Sequence, residues 1–535
     1  MATAVNDRIA HVVVVGGGSA GWLTAALLAA DHRAADADGL QVTLIESPDT
    51  PPIGVGEGTW PTMRDTLRRI GVSETSLVRE CDAAFKQGSR FDGWGDGSAG
   101  DRYYHPFVLP QGHGDADLVT GWLRQHAQVP FADLVSFQPH LCAQGRAPKQ
   151  AATPEYAAVA NYGYHFDAGK FGTMLRRHAV DKLRVQHVLD EVVGITTHDN
   201  GDIAALQTRS HGPLAGDLFI DCSGLAALLI GQHYGVPLLS QQPVLFNDTA
   251  LAVQLPYAEP DAPIASQTIA TAQPNGWIWD IGLPTRRGVG HVYSSAHTSH
   301  DEAERQLRAH VARTGGPQDM PSPRRLNFSP GYRQRFWHHN CVAIGLSSGF
   351  IEPLEASALA LVELSATMLS DELPANRAEM AIVARRFNDS FGYRWSRVID
   401  FLKLHYVLSR RDDNAPTASS SASSSAISSY WRDHRQPESV PERLRELLQL
   451  WRHRAPYRHD LFRVEEVFPS ASYQYVLYGM GFRPDGVGGT RRTDPAGAAD
   501  GYFREAAALT RRMLAALPDN RTLIAHIRQH GLPAL

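Results

Sequence analysis

Apolar positions follow two different periods along this chain. HVVVV (His11 to Val15) is a β-branched run with no polar alternation, which predicts a strand buried on both faces. It runs into GGGSAGW (Gly16 to Trp22) and then LTAALLAA, rich in good helix formers. QVTLIE (Gln41 to Glu46) predicts a second strand that ends in an acid, so the start of the chain reads as a βαβ unit. DLFIDCSG (Asp217 to Gly224) and CVAIG (Cys341 to Gly345) read as further buried strands ending in tight turns. From Leu354 to Leu408 the period becomes helical, with acids and arginines on the polar faces. Val440 to Trp451 and Gly501 to Leu517 predict amphipathic helices. Between them and the body lies DDNAPTASSSASSSAISS, a low-hydrophobicity stretch expected to be a linker or mobile loop. The expected organisation is therefore a body over 1–411, a linker over 412–429 and a helical C-terminal region over 430–535.

Gly16, Gly18 and Gly21 fit the spacing GxGxxG. The first glycine permits the sharp turn out of the strand, the second lets backbone approach a pyrophosphate, and the third lets helix pack on sheet. Phosphates then meet free N–H groups and a favourable dipole at the helix N-terminus, around Ser19 and Ala20. Glu46 ends the next strand, where an acid can accept from a ribose diol. This predicts dinucleotide binding without separating FAD from NAD.

Composition narrows the class. The chain has 535 residues, 51 Lys plus Arg and 56 Asp plus Glu, for a formal charge of −5. No basic face for phosphate neutralisation is implied, so nucleic acid is not an expected partner. Four cysteines lie far apart with no CxxC pair, which argues against a thiolate metal site or disulfide framework and for a reducing cytoplasm. No basic-then-apolar signal and no bilayer-length apolar run is visible, so no membrane association is expected.

Further segments carry a resemblance. GVGEGTWP (Gly54 to Pro61), DAAFKQGSRFDGW around Lys86, YYHPF (Tyr103 to Phe107), NGWIWDIGLP (Asn275 to Pro284) and FIEPLEASALALVE (Phe350 to Glu363) together resemble the flavin-dependent tryptophan-halogenase family. The resemblance covers most of the chain and weakens after about residue 410. It implies an α/β fold: a Rossmann-like FAD-binding domain of the aromatic-hydroxylase type, a mixed-sheet substrate region and a mostly helical C-terminal region. It also implies an oxidoreductase in which FADH2 and O2 form a flavin hydroperoxide that oxidises bromide or chloride to hypohalous acid. That acid passes through a tunnel to a lysine, here Lys86, which halogenates an aromatic such as an indole.

By the same resemblance, Glu355 positions the halogenating species or takes the proton lost on rearomatisation, and the backbone N–H groups of Ser357 and Ala358 hold the halide. Implied flavin contacts, beside the glycine turn and Glu46, are Val55, Gly58, Val188, Leu346 and Leu359. His105 and Phe107 would flank the substrate, and Trp277 and Trp279 would wall the tunnel. Two residues apart on a strand, the tryptophans share one face.

The chemistry is sensible from the residues alone: burial lowers a lysine's pKa toward useful values, and a carboxylate can serve as general base. The chain departs from the family in reading PLEASA where PLESTG is usual, which leaves the halide open, bromide being preferred. It also has Gly282 and Pro284 where the tryptophan motif closes on Ile-Pro. Leu346 after Gly345 favours the halogenase branch over hydroxylases, which place an aspartate there.

With no second nucleotide fingerprint (GVGG near residue 487 has no preceding strand), a separate flavin reductase is the expected partner, and assembly is left open, a homodimer included. WRHRAPYRHDLF and SYQYVLYGMGF do not display the tyrosine and glutamate set expected for free tryptophan, so an indole, a larger aromatic or a carrier-bound substrate is as well accommodated. The competing readings are a flavin monooxygenase and, outside enzymes, a flavin-binding sensor.

Overall fold

The computed structural model describes residues 8–49, 56–411, 429–485 and 497–534. Val55, residues 412–428 of the Ser-rich stretch and the GVGG near 487 lie outside the described residues. The chain divides into two compact units, each built from three segments: Met1–Ala83, Phe166–Ser240 and Ser329–Trp395 form the first, and Ala84–His165, Gln241–Phe328 and Ser396–Leu535 the second.

The first unit is organised by a six-stranded sheet in the order Trp337–His338, Cys341–Ala343, Leu218–Asp221, His11–Val15, Gln41–Glu46 and Gln186–Leu189. Its strands are parallel except the Trp337–His338 edge. Val12 to Val15 are buried on both faces, as the unbroken β-branched run requires. Val13, Val15, Ile45, Phe219, Cys341 and Ala343 form one core with Ile203 and Leu206 of a small antiparallel sheet. Helix Ser19–Asp31 is almost wholly apolar, and it packs against both Ala168–Asp181 and Ser357–Asp371.

One buried carboxylate shapes this unit. Asp221, fully buried, accepts from Ser223 N and Oγ through one oxygen and from Leu229 N and Ile230 N through the other. A buried charge is tolerable only when so saturated, and these bonds force the tight turn after the strand.

The second unit is built on a seven-stranded sheet in the order Arg324–Asn327, Thr249–Pro256, Arg286–Tyr293, Gly276–Gly282, Thr268–Gln273, Gly88–Asp92 and Arg102–Pro106. All its pairs are antiparallel except Thr268–Gln273 with Gly88–Asp92. Helix His300–Arg313 covers Leu251, Ile278 and Tyr293 with Leu307 and Val311. Helix Ser470–Gly479 packs on strand Arg102–Pro106, and Ala498–Ala516 packs on the short helices between Leu118 and Ala143. The fold is thus α/β with a parallel and a mixed sheet, and its C-terminal region is helical. The helical pattern over Leu354–Leu408 resolves into Ser357–Asp371 and Arg377–Val407, and the later two patterns into Glu442–Trp451 and Ala498–Ala516.

Asp221→Ala strips an acceptor from three backbone N–H groups, two of them buried. The expected cost is about 3 kcal/mol or more, read as a lower urea-unfolding midpoint; an unchanged midpoint would contradict the role given to this carboxylate.

Candidate active site

In the first unit the implied flavin residues gather at the carboxyl ends of the parallel strands, where ligands bind in sheets of this kind. Gly16 follows His11–Val15, Glu46 ends Gln41–Glu46, Val188 pairs with Ile45, and Gly345 and Leu346 follow Cys341–Ala343. Gly16 has φ +114°, donates to Ile45 O at 2.8 Å, and leaves no room for a Cβ against the Cys222 carbonyl. A Cβ at Gly17 would strike the Glu46 carboxylate, and one at Gly21 the Gly16 carbonyl. Gly345, with φ +79°, lets its turn approach Ala20.

Gly18 differs from these glycines. Its φ is an ordinary −75°, and a Cβ there would meet no protein atom within 4 Å. Fold packing therefore does not demand glycine at this position; a ligand approaching the backbone would. Gly18 also caps helix Ser19–Asp31 without a side-chain acceptor, and no acid sits in the first turn, so the N–H groups of Ser19, Ala20 and Gly21 have no helical partner. Glu46 is half-buried, with Oε1 bonded to His187 Nε2 at 2.9 Å. An anion cradle beside a carboxylate suited to a ribose diol fits FAD. Leu359 is buried in helix Ser357–Asp371, and Gly58 lies in the short strand Glu57–Gly58, where burial pushes the Glu57 carboxyl up to about 7.

Glu355 also belongs to this unit. It is buried in the turn Pro353–Ala356 and, unusually for non-glycine residues, both Glu355 (φ 63°) and Ala356 (φ 55°) are left-handed. Ser357 and Ala358 open the following helix, again with no side-chain cap. Ala358 lies in the right-handed first turn, so the alanine standing for the family's glycine causes no backbone strain. Further along, Glu363 is buried, with its carboxylate accepting from Thr66 Oγ1 at 2.7 Å and Thr62 Oγ1 at 3.4 Å. Burial pushes this carboxyl up to about 8 despite those bonds.

In the second unit Lys86 ends strand Ala84–Lys86 and is 1% exposed. Its Nζ lies 5.2 Å from the Phe107 ring centroid. Lys86 pairs with Gly163, which puts His165, two residues on, diagonally beside it on the same face. Burial, then the Lys86 charge, hold the His165 imidazole well below its usual pKa, and its Nε2 meets Thr268 Oγ1 at 2.8 Å. His105 is buried on Arg102–Pro106, with Nε2 2.9 Å from Ser472 Oγ and its ring near Phe401 and Tyr475.

Trp277 and Trp279 lie on Gly276–Gly282, with ring centroids 6.3 Å apart. Trp277 is buried beside Trp94, and Trp279 lies across Gly290, where any side chain would collide with it. Lys86, His105, Phe107 and the two tryptophans are thus all in the second unit, while Glu355, Ser357, Ala358 and the described flavin residues are in the first.

Sequence reasoning overlooked Trp60, Trp94, His165, Glu363, Phe401 and Ser472. The period-2 pattern of GYHF (Gly163 to Phe166) could have raised His165 as a buried polar position; Trp60, Trp94, Glu363 and Ser472 stand inside the segments quoted above, but nothing local marks their distant partners. In WRHRAPYRHDLF, Arg454 is committed to the Asp460 carboxylate, which also accepts from Trp451 Nε1 and Tyr457 N.

A mostly parallel sheet with a glycine turn and an acid at its carboxyl edge defines the dinucleotide-binding α/β class. Residues 11–493 match the family model described as tryptophan halogenase. The chain is 32% identical over 540 residues to the 7-chloro-L-tryptophan 6-halogenase KtzR of Kutzneria sp. (strain 744), covering 97% of this chain and 99% of that protein. Among solved structures, a tryptophan halogenase from Shewanella frigidimarina NCIMB 400 matches with a TM-score of 0.92 and 47% identity, over 99% of both chains. BrvH, a flavin-dependent halogenase from Brevundimonas sp. BAL3, matches with a TM-score of 0.83 and 33% identity, over 98% of this chain and 100% of that one. The chain belongs to the tryptophan halogenase family and is a flavin-dependent enzyme.

Gly18→Val should leave the melting temperature unchanged and lower FAD affinity at least about tenfold, measured by flavin fluorescence titration; equal affinity would remove the anion-cradle assignment. Glu363 generates a pH prediction. Its carboxyl binds a proton up to about pH 8 when folded but only to about 4.5 when unfolded, so stability falls as pH rises between those values. Glu363→Gln should flatten the fall in melting temperature across that window; parallel curves for the two proteins would contradict it.

Proposed function

We propose that this protein is an FADH2-dependent halogenase that uses O2 and bromide or chloride to halogenate an electron-rich aromatic such as an indole. The observation that carries the proposal is the lysine Lys86, buried against Phe107 on an interior strand. Burial of an amine is costly, and it disfavours the charged form, which suits a group that must hold or carry an electrophilic halogen. When bound, reduced FAD together with O2 supplies the two-electron oxidation that turns halide into hypohalous acid.

The chain's own residues do the rest. The N–H groups of Ser357 and Ala358 offer positive ends to the halide. Lys86 takes the halogen as a haloamine or hydrogen-bonds the hypohalous acid. The ring then gains halogen and loses a proton, which the Glu355 carboxylate accepts, so that hypohalous acid and arene give haloarene and water. His105, held by Ser472, and Phe107 orient the ring, with aromatic contact worth ~0.5–1.5 kcal/mol beyond area. Trp277 and Trp279 form an apolar aromatic face that excludes water, which a hypohalous oxidant requires.

An indole substrate is supported by the tryptophan substrates named for the relatives. Val55 and Gly58 complete the flavin contacts in this reading, and a separate reductase supplies FADH2. In this reading residues 430–535 cover the substrate. Four buried free cysteines favour a reducing cytoplasm, and no helix among the described residues is long and apolar enough to cross a membrane.

The test supplies a flavin reductase, NADH, FAD, O2, bromide or chloride and a panel of indoles, with products read by mass spectrometry. One halogen should be added per ring. Lys86→Ala should keep FAD binding and lose product formation by about 10²-fold or more. Full product formation by that variant would overturn the lysine mechanism.

A further inference from the structure

The turn that carries Glu355 has two successive left-handed residues, neither of them glycine. Within the turn, Ala356 N donates to Pro353 O at 3.1 Å. Such a conformation persists only where surrounding structure over-determines it. A left-handed residue also turns its carbonyl out of the helix ladder, so the Glu355 C=O needs a donor from elsewhere. That donor is an indole: Trp60 Nε1–H meets the Glu355 carbonyl at 2.7 Å. Trp60 is itself anchored, because its carbonyl accepts from Met63 N at the start of helix Met63–Arg69. The same helix sends Thr66 to the Glu363 carboxylate, two turns beyond Glu355. The chain from Trp60 to Thr66 therefore grips the turn that leads into helix Ser357–Asp371 and then the helix itself in its middle.

We infer that Trp60 is a positioning residue: its indole N–H fixes the Glu355–Ala356 peptide and so aims both the Glu355 carboxylate and the N–H groups of Ser357 and Ala358. The inference rests on the reading of Glu355 and of those N–H groups given above. A peptide free to rotate about this turn would swing the carboxylate on one side and the helix N–H groups on the other. Loss of the hydrogen bond should therefore disturb halide use and halogen transfer together, and leave the glycine turn that receives the nucleotide untouched.

The experiment uses the full chain with bromide, a flavin reductase and an accepted indole. Two replacements remove the donor: Trp60→Phe, and benzothienylalanine at position 60, which keeps the bicyclic shape with sulfur in place of N–H. Expected are FAD affinity within about twofold of wild type, a bromide KM raised about fivefold, the size of one net hydrogen bond, and a larger share of turnovers released as free hypobromous acid trapped by a scavenger. A merely structural tryptophan would lower melting temperature or FAD loading without moving the bromide KM or the released fraction. That result in the benzothienylalanine protein overturns the inference even if Trp60→Phe folds poorly. Glu355→Gln separates the two levels: full halogenation by that variant removes the reading of Glu355 and this inference with it, whereas an inactive Glu355→Gln beside an unaltered benzothienylalanine protein overturns the inference alone.

Discussion

Close backbone approach at the carboxyl edge of the parallel sheet is the constraint on which the first unit depends. The Gly16 peptide lies against the Cys222 carbonyl, Gly21 against Gly16, and Gly345 against Ala20, each with no space for a side chain. These contacts let the apolar helix Ser19–Asp31 sit down on the sheet and hold its uncapped N-terminus at the strand ends. Asp221 enforces the neighbouring turn by saturating its charge with backbone and hydroxyl donors. The nucleotide edge is thus a product of steric exclusion and of one fully compensated buried charge. Gly18 alone among the fingerprint glycines is required by neither, since a Cβ there would meet no protein atom within 4 Å.

The second unit solves a different problem, how to keep amines inside an aromatic interior. Lys149 and Lys403 are both fully buried and are held by oxygens: Lys149 by the carbonyls of Pro154 and Ala157 and the Tyr162 hydroxyl, Lys403 by Val244 O and Ser439 Oγ, with His434 Nδ1 at 2.9 Å. These are structural cations. Rings lie near all three ammonium groups: Phe85 and Tyr162 by Lys149, Phe246 by Lys403, and Phe107 by Lys86, which also has the depressed His165 beside it.

Legibility followed the range of the interaction. The glycine turn, the buried strands after His11, Asp217 and Cys341, and the helices were readable because each depends on residues a few positions apart. The edges of those elements shifted by a few residues: the apolar pattern beginning at Val440 starts its helix at Glu442, after Pro441. The partners that tune the candidate site were not readable, because they join distant segments. Trp60 reaches Glu355 across 295 positions and His105 reaches Ser472 across 367. The interleaving of the two units is equally invisible in a linear pattern, since each is assembled from three separate stretches.

What the sequence determined by itself was the class: a nucleotide edge from glycine spacing, and an identity carried by motifs around Lys86, Trp277 and Glu355. Those are properties of short segments, in which residue type and spacing already imply backbone conformation. Tertiary structure alone decided that Glu355 and Ala356 are left-handed, that an indole holds the Glu355 carbonyl, that Lys86 is buried against Phe107, and that Glu363 carries a proton to about pH 8. Strain, desolvation and hydrogen-bond saturation depend on what surrounds a group in space, and only the folded chain supplies those surroundings.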